Sequence, residues 1–535
     1  MEVKESEVFI QNSYILMVGY FLSTAISTIG TIVIIRLISV EENSFINIAY
    51  ILPNIFINFS ELGLNFASIH FIARKASEND EKGIRNVIKI NLYIKIIIGT
   101  ILTLFIAFFP WYIAHEIYQI RDNRMIILIQ IASIGVISTI LYEALRSFFL
   151  GAQNMNMVQY GTILRSSLRT LISIFLIFIG FTLRGPLIGY VFSTLITVIF
   201  LLLSIKKIYP KGNRTKTPTD WKELKKMFHY GYPLMLYSFI VAIQNDIYTL
   251  ILTVNGYIPE VSYLNVAITS AGLFGILKKA ISDSLFPVFS KKKWEIEKEK
   301  KSIINYYLFS LKFEALLMLP VAVFIIIFSS DFFSLIFGEK YRIAAPFMST
   351  YFLIYLFIPI GSISIPALFN GQRHTNIVLY LEIVNLISSV IFSLILINYL
   401  SGLGVVVGII LGKLVSILYG NLMIHKYYGT VLYSNFKNVF SILFMALVSG
   451  LFTYIFYNIL IIYLPPDGLL ITLFILISSF IIYLGLFLFL IGIFLLITYE
   501  EIDLMVKSFK IIPVFSKAFY LLAIIEKKIL KIRLR

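Results

Sequence analysis

Fourteen stretches of about twenty predominantly apolar residues, the length a helix needs to cross a bilayer, leave this chain few folds to choose from. They fall at 14–36, 45–72, 87–110, 125–149, 157–181, 186–206, 231–254, 261–285, 303–328, 343–369, 375–398, 402–424, 438–464 and 468–497. In hydrocarbon every backbone N–H and C=O must be satisfied within the structure, and a helix does this within a single segment. The expectation is an all-α polytopic membrane protein with about fourteen transmembrane helices. Composition agrees: 59% of the 535 residues are hydrophobic and 14% charged, outside the range of soluble domains.

The net charge of +16 would suit a nucleic-acid binder, but its placement reads as membrane topology. With the N-terminus inside, 34 of the 45 lysines and arginines fall in cytoplasmic segments, 6 in outer ones and 5 within spans. The positive-inside rule then puts both termini in the cytoplasm of a cell-membrane protein. No cleavable signal is read at the acidic start, Met1 to Val8, so the first span should be retained. The outer connections are too short to hold an active site. There is no cysteine, and His70, His115, His229, His374 and His425 show no metal-ligand spacing. No Asp-x-Asp occurs. The sequence points away from a metal enzyme, a glycosyltransferase or a polymerase.

The two halves repeat at a nearly constant shift. Glu42–Ala49 matches Glu260–Ala267 at 218, Arg74-Lys75 matches Lys292-Lys293 at 218, Gly185–Gly189 matches Gly404–Gly408 at 219, and Phe149–Gly151 matches Phe369–Gly371 at 220. Each repeat holds six spans, so a pseudo-two-fold axis along the membrane normal is expected. The resulting organisation is an N-lobe at 1–207, a cytoplasmic linker at 208–230, a C-lobe at 231–425, two additional helices at 426–499, and an amphipathic basic tail at 500–535, broken at Pro513. The basic run Lys291 to Lys301 reads as a helix lying on anionic headgroups.

Polar groups at bilayer depth are the candidate site. Gln159, Thr162, Arg165, Ser166, Arg169 and Ser173 recur at steps of three and four, one face of a helix. An arginine at that depth costs about 3 kcal/mol on insertion scales. Arg165 and Arg169 therefore hold an anion, pair with acids on other helices such as Glu382, or reach the headgroups. The repeat aligns this stripe with Glu382, Asn385, Ser389 and Ser393, a milder wall. Lys413 lies mid-span, facing a cavity or an internal acid. Gln244, Asn245 and Asp246 cluster in the seventh span, where Asp246 would take a coupling cation or an arginine. Lys95 and Lys312 are read as snorkelling, with Lys312 and Glu314 on different faces. Pro53, Pro233, Pro320, Pro359 and Pro366 are hinge candidates.

Arg36-Leu-Ile-Ser39 with Glu42, Glu61-Leu-Gly-Leu64, Tyr230-Gly-Tyr-Pro233, Phe337-Gly-Glu-Lys-Tyr341 and Asn370-Gly-Gln-Arg373, in that order, resemble the multidrug/oligosaccharidyl-lipid/polysaccharide exporter superfamily, and within it the Wzx-type polysaccharide-biosynthesis flippases. Glu61 stands where that family tends to have aspartate. The resemblance implies two six-helix lobes in a V around a cavity open alternately to either side. It implies transport, without catalysis, of a polyprenyl-phosphate- or pyrophosphate-linked oligosaccharide to the outer leaflet. Arg36, Arg165, Arg169 and Lys413 would bind substrate. Glu61, Gln244, Asn245, Asp246, Glu382 and Asn385 would serve the coupling ion or line the cavity. No cofactor is expected beyond coupling to Na+ or H+. Partners would be membrane lipids and the glycosyltransferases or polymerase of the pathway, not nucleic acid. The alternative is a multidrug or cation antiporter of the same superfamily.

Overall fold

The computed structural model describes residues 2–208, 221–290, 296–429, 436–465, 468–494 and 496–497. These residues contain helices and no strand. In chain order the helices are α1 (Glu2–Leu37), α2 (Val40–Phe59), α3 (Leu64–Ser77), α4 (Glu81–Phe108), the short α5 (Pro110–Tyr112), α6 (Asn123–Gly151), α7 (Met155–Phe178), α8 (Gly185–Ile208) and α9 (Lys222–Val254). There follow α10 (Ile258–Ser290), α11 (Glu297–Ile327), α12 (Ser329–Phe337), α13 (Ala345–Phe352), α14 (Ser364–Gly371), α15 (Thr375–Leu400), α16 (Leu403–Tyr428), α17 (Phe436–Tyr463) and α18 (Leu469–Ile493). Among the described residues twelve helices are long and apolar enough to cross a membrane, and α2 with α3 adds a bent thirteenth. α10 occupies the stretch of the eighth expected span. The amphipathic tail after Glu500 and most of the expected linker lie outside the described residues, as do residues 291–295 of the basic run.

Local sequence explains where the helices start. Ser39 and Glu42 form a reciprocal capping box at the head of α2, so this part of the Arg36–Glu42 motif has a structural reason. Asp80, Asp122 and Asn154 each lend a side-chain oxygen to the first turn of α4, α6 and α7.

Two expected spans are not continuous helices. The second breaks at residues 60–63 with a bend of 42°, because Leu62 (φ 46°) and Gly63 (φ 70°) turn the backbone left-handed. The tenth unwinds into a 3-10 stretch at Leu353–Ile360, containing Pro359, and turns at Gly361 (φ 93°) before α14. A break frees carbonyls that hydrocarbon cannot satisfy. At the first break the Lys95 ammonium donates to Ser60 O (2.7 Å) and Glu61 O (3.2 Å). Lys95 is 1% exposed, so it does not snorkel; it closes the open end of α2.

By contact density the chain divides into two compact units, residues 1–265 and 266–535. In the first, α7 packs between α1 and α8. In the second, the tightest pair is α15 with α16. Gly404, Gly408 and Gly412 recur at steps of four on α16 and leave no room for a side chain: a Cβ there would collide with Leu396, Ser393 and Ser389 respectively. Such small-residue seams hold helices together in lipid, where apolar burial supplies no drive. The first unit has the matching seam: Gly185 lies on Leu176, and a Cβ on Gly189 would strike Ser173. The glycine match between the two halves is therefore a helix-packing signal. Ser173, Ser389 and Ser393 are fully buried in these seams, which removes them from any cavity wall.

Candidate substrate site

The arginine stripe of α7 does not face one environment. Gln159 and Thr170 lie on Gly19 and Gly30 of α1, Ser173 meets α8, and the two arginines face α6, α8 and α2. Arg165 is largely enclosed. Its Nε donates to Thr194 (3.2 Å), and Nη2 donates to the Tyr190 hydroxyl (3.3 Å) and to Thr139 (3.5 Å). Its guanidinium carbon lies 4.4 Å from the Tyr142 ring centre and 5.4 Å from that of Tyr190. Nη1 is 3.9 Å from Glu143, the outer limit of an ion pair. Glu143 is nearer to Arg146, at 3.2 Å, and Arg146 also donates to the Tyr20 hydroxyl (2.7 Å). The carboxylate that approaches Arg165 is thus Glu143 of its own unit.

Arg169, one turn further on, differs. Its guanidinium lies 5.4 Å from the Tyr190 ring centre, and it has no hydrogen bond or carboxylate among the described residues. Tyr190 also meets Tyr50 of α2 edge-on at 5.2 Å. The Tyr50 hydroxyl is buried and has no hydrogen-bond partner. It lies in the electrostatic field of Arg169 and Arg165.

The remaining candidates of this unit spread along α1, the α2 break and α9. Arg36 is exposed at the end of α1. Glu61 is half-buried at the break, its carbonyl held by Lys95 and its carboxylate within the field of the same ammonium. On α9, Asn245 is exposed and Gln244 half-buried. Asp246 accepts from Asn54 Nδ2 (3.1 Å), an α2 amide. The Tyr230-Gly motif has a packing role: the Gly231 and Gly63 backbones touch too closely for a Cβ on either. The Tyr230 ring stacks on His70 at 4.4 Å. An open cavity of about 700 Å³ in this unit is lined by Glu41, Phe45, Asp122, Asn255 and Pro259, and by none of the arginine-site residues. There the Arg124 guanidinium holds the Asp122 carboxyl below its usual range.

In the second unit Lys413 of α16 lies 3.9 Å from Glu382 of α15, both mostly buried. Asn385 reaches the other Glu382 oxygen at 3.5 Å. Lys413 thus faces an internal acid. Glu314, which the sequence reading left without a role, is 0% exposed and accepts from Ser364 (2.5 Å).

Further polar stripes around the site are legible in the sequence. Asn43, Asn47, Tyr50, Asn54 and Asn58 form a stripe on α2 at steps of three and four, and Thr139, Glu143 and Arg146 form one on α6. The α6 face meets Arg165, whereas the α2 face meets Asp246 through Asn54 and Tyr190 through Tyr50. On α8, Tyr190 shares a face with Thr194 and Thr197 at steps of four and three.

Fold and site together define a multi-pass membrane protein with a guanidinium, Arg169, in a candidate span and without a carboxylate among the described residues. Residues 33–346, more than half of the chain, match the model of a family described as polysaccharide biosynthesis protein; the chain belongs to that family. It is 24% identical over 374 residues to an uncharacterized membrane protein of Methanocaldococcus jannaschii, covering 66% of this chain and 71% of the relative. Its fold is similar to that of the lipid II flippase MurJ in an inward closed conformation (TM-score 0.66, 16% identity, 88% of this chain and 98% of that one). It is also similar to an inward-facing MATE multidrug resistance transporter of the MOP superfamily (TM-score 0.60, 19% identity, 77% and 96%).

Proposed function

We propose that this protein moves a polyprenyl-phosphate- or pyrophosphate-linked oligosaccharide from the cytoplasmic to the outer leaflet by alternating access through a cationic cavity, for polysaccharide or glycan assembly. The observation that carries this is Arg169, a guanidinium within a candidate span that has no hydrogen bond or carboxylate among the described residues. Arginine's planar fork suits phosphate oxygens, which it binds in pairs, and the first carrier phosphate is the part of such a substrate that every sugar variant shares. The chain acts as a transporter and not as an enzyme. Lobes at 1–207 and 231–425 would rock about the site, with the termini in the cytoplasm of the cell membrane. Na+ or H+ would couple at the polar groups around Asp246 and Glu382. Pathway glycosyltransferases would deliver the substrate.

The test is translocation of lipid-linked sugar beside thermal stability for Arg165→Ala, Arg169→Ala and the double variant. The reading expects loss of translocation with the fold retained, and a stable double variant that transports normally would overturn it. Single cysteines at Lys211 and Asn255 in this cysteine-free chain test orientation. An impermeant reagent on intact cells should label Asn255 and spare Lys211. The antiporter reading draws on the MATE-like fold and on the Asp246 carboxylate, and would be favoured by cation-dependent drug efflux in the same vesicles.

A further inference from the structure

The two arginines, one turn apart on one helix, are in opposite states of commitment. A guanidinium has five N–H donors and two faces. In Arg165 the donors reach Thr194, Tyr190 and Thr139, one nitrogen approaches Glu143, and both Tyr142 and Tyr190 lie over the group. An incoming anion would have to displace hydroxyls already in place. Among the described residues Arg169 has the Tyr190 ring beside it and neither a hydrogen bond nor a carboxylate. Tyr50 meets the same ring edge-on, and its buried hydroxyl has no hydrogen-bond partner. Leaving such a group unpaired is costly, and a hydroxyl in the field of Arg169 and Arg165 is oriented to donate to an anion. Glu143, which could neutralise the pair, is drawn to Arg146.

We infer that Arg169 and the Tyr50 hydroxyl are the seat of one phosphate group of the substrate, and that Arg165 is a positioning residue whose committed hydrogen bonds fix Tyr190, the ring against which both lie, as one wall of the seat. This rests on the lipid-phosphate reading above and gives it an address. Arg169 supplies paired N–H donors to two phosphate oxygens, and Tyr50 donates to a third from the α2 side. Tyr190 cannot take the hydroxyl's part, because its own oxygen is engaged with Thr139 at 2.7 Å and with Arg165. The ligand class is a phosphate mono- or diester, carried by a polyprenyl chain or free.

The experiment is ligand-dependent thermal stabilisation of the full-length protein in detergent. The probes are a short-chain polyprenyl phosphate, the matching prenol and inorganic pyrophosphate. Wild type should be stabilised by the polyprenyl phosphate and not by the prenol. Stabilisation by pyrophosphate alone would assign the seat to free phosphate, and stabilisation by the polyprenyl compound alone to the lipid headgroup; either is compatible with the seat. Tyr50→Phe should keep or raise the melting temperature without ligand, since it removes an unpaired hydroxyl. It should weaken polyprenyl phosphate binding about tenfold or more, the worth of a hydrogen bond to a charged group. Arg169→Gln should abolish binding and Arg169→Lys restore part of it. In Arg165→Lys the Tyr190 wall loosens, so binding should weaken while remaining sensitive to Tyr50→Phe, which a bare loss of charge would not produce. Wild-type affinity in Tyr50→Phe overturns the seat. A wild type that translocates lipid-linked sugar yet binds no phosphate probe overturns the seat while leaving the transport reading intact. A wild type that neither binds nor translocates overturns the reading beneath it.

Discussion

The α7–α8 pair of the first unit and the α15–α16 pair of the second are the same piece of architecture carrying different chemistry. Both are clamped by glycines at steps of four meeting a buried serine, Gly189 on Ser173 and Gly408 on Ser393. At the repeat shift of 219–220 the cation changes helix. Arg165 aligns with Asn385 and Thr162 with Glu382, while Thr194, which accepts from Arg165, aligns with Lys413. One unit places its cation on the first helix of the pair among tyrosines. The other places it on the second helix facing a carboxylate. The inversion extends to the neighbouring helices: buried Lys95 of α4 aligns at 219 with buried Glu314 of α11. The scaffold needs the glycine seams in both halves, whereas the charge is free to differ: among the described residues Arg169 of α7 has no carboxylate, while Lys413 of α16 faces Glu382.

The seams give the largest effects. Gly404→Val and Gly408→Val should each lower stability by about 3 kcal/mol or more, because overpacking a seam closed on backbone cannot be relieved by a rotamer change. Gly189→Val should cost less, as the backbone its Cβ meets, Ser173 N at 2.9 Å, stands further off than Ser393 N at 2.5 Å from a Cβ on Gly408. Gly485→Ala, with nothing near its missing Cβ, should be neutral or stabilising by up to about 1 kcal/mol. Thermal melting in detergent ranks the four, and equal costs at Gly189 and Gly485 would break the claim that both units share one seam.

Next come the buried caps. Lys95→Met strands the two carbonyls of the α2 break and should cost roughly 2–3 kcal/mol, the loss of hydrogen bonds from a charged donor. A cost under about 0.5 kcal/mol would return Lys95 to the snorkelling reading.

Double-mutant cycles sharpen the charge comparison directly. Lys413→Met with Glu382→Gln should show a coupling of about 1–2 kcal/mol, since both side chains are mostly buried. Arg165→Met with Glu143→Gln should couple by less than about 1 kcal/mol, because Glu143 is more exposed and shared with Arg146. A larger coupling at Arg165 would make it a structural ion pair.

The smallest effects are two acid-range slopes of opposite sign, both outside the spans. In the first unit the Gly83 backbone N–H, then Lys75, hold Asp80 below the usual carboxylate range. Its contribution is complete above that range and lost as pH falls through its folded value. In the second unit burial pushes Asp331 up, partly offset by Arg342, while Tyr457 donates to its carboxylate. Its contribution is present at low pH and fades as pH rises through its folded value. Asp80→Asn should therefore flatten the loss of melting temperature below about pH 5, by well under 1 kcal/mol at so exposed a site. Asp331→Asn should raise relative stability toward about pH 7. Parallel slopes in the two variants would refute the assignment.

Much of this was settled by the sequence alone. Apolar run length and the absence of an alternative in hydrocarbon determine an all-helical membrane protein. The shift of 218–220 marks two related halves, and helical spacing sets Arg165 and Arg169 on one face of α7. What spacing cannot carry is which neighbour each face meets. That Arg165 is used up by Tyr190, Thr194 and Tyr142 while Arg169 is not, that Lys95 closes a broken helix, that Asp246 meets Asn54, and that Ser389 and Ser393 sit in a glycine seam all depend on residues 15 to 192 positions apart. A membrane helix has no solvated face to betray its orientation by periodicity, since lipid-facing and core-facing residues are alike apolar. Only the tertiary packing decides which polar side chains face one another, and so which arginine is left to bind.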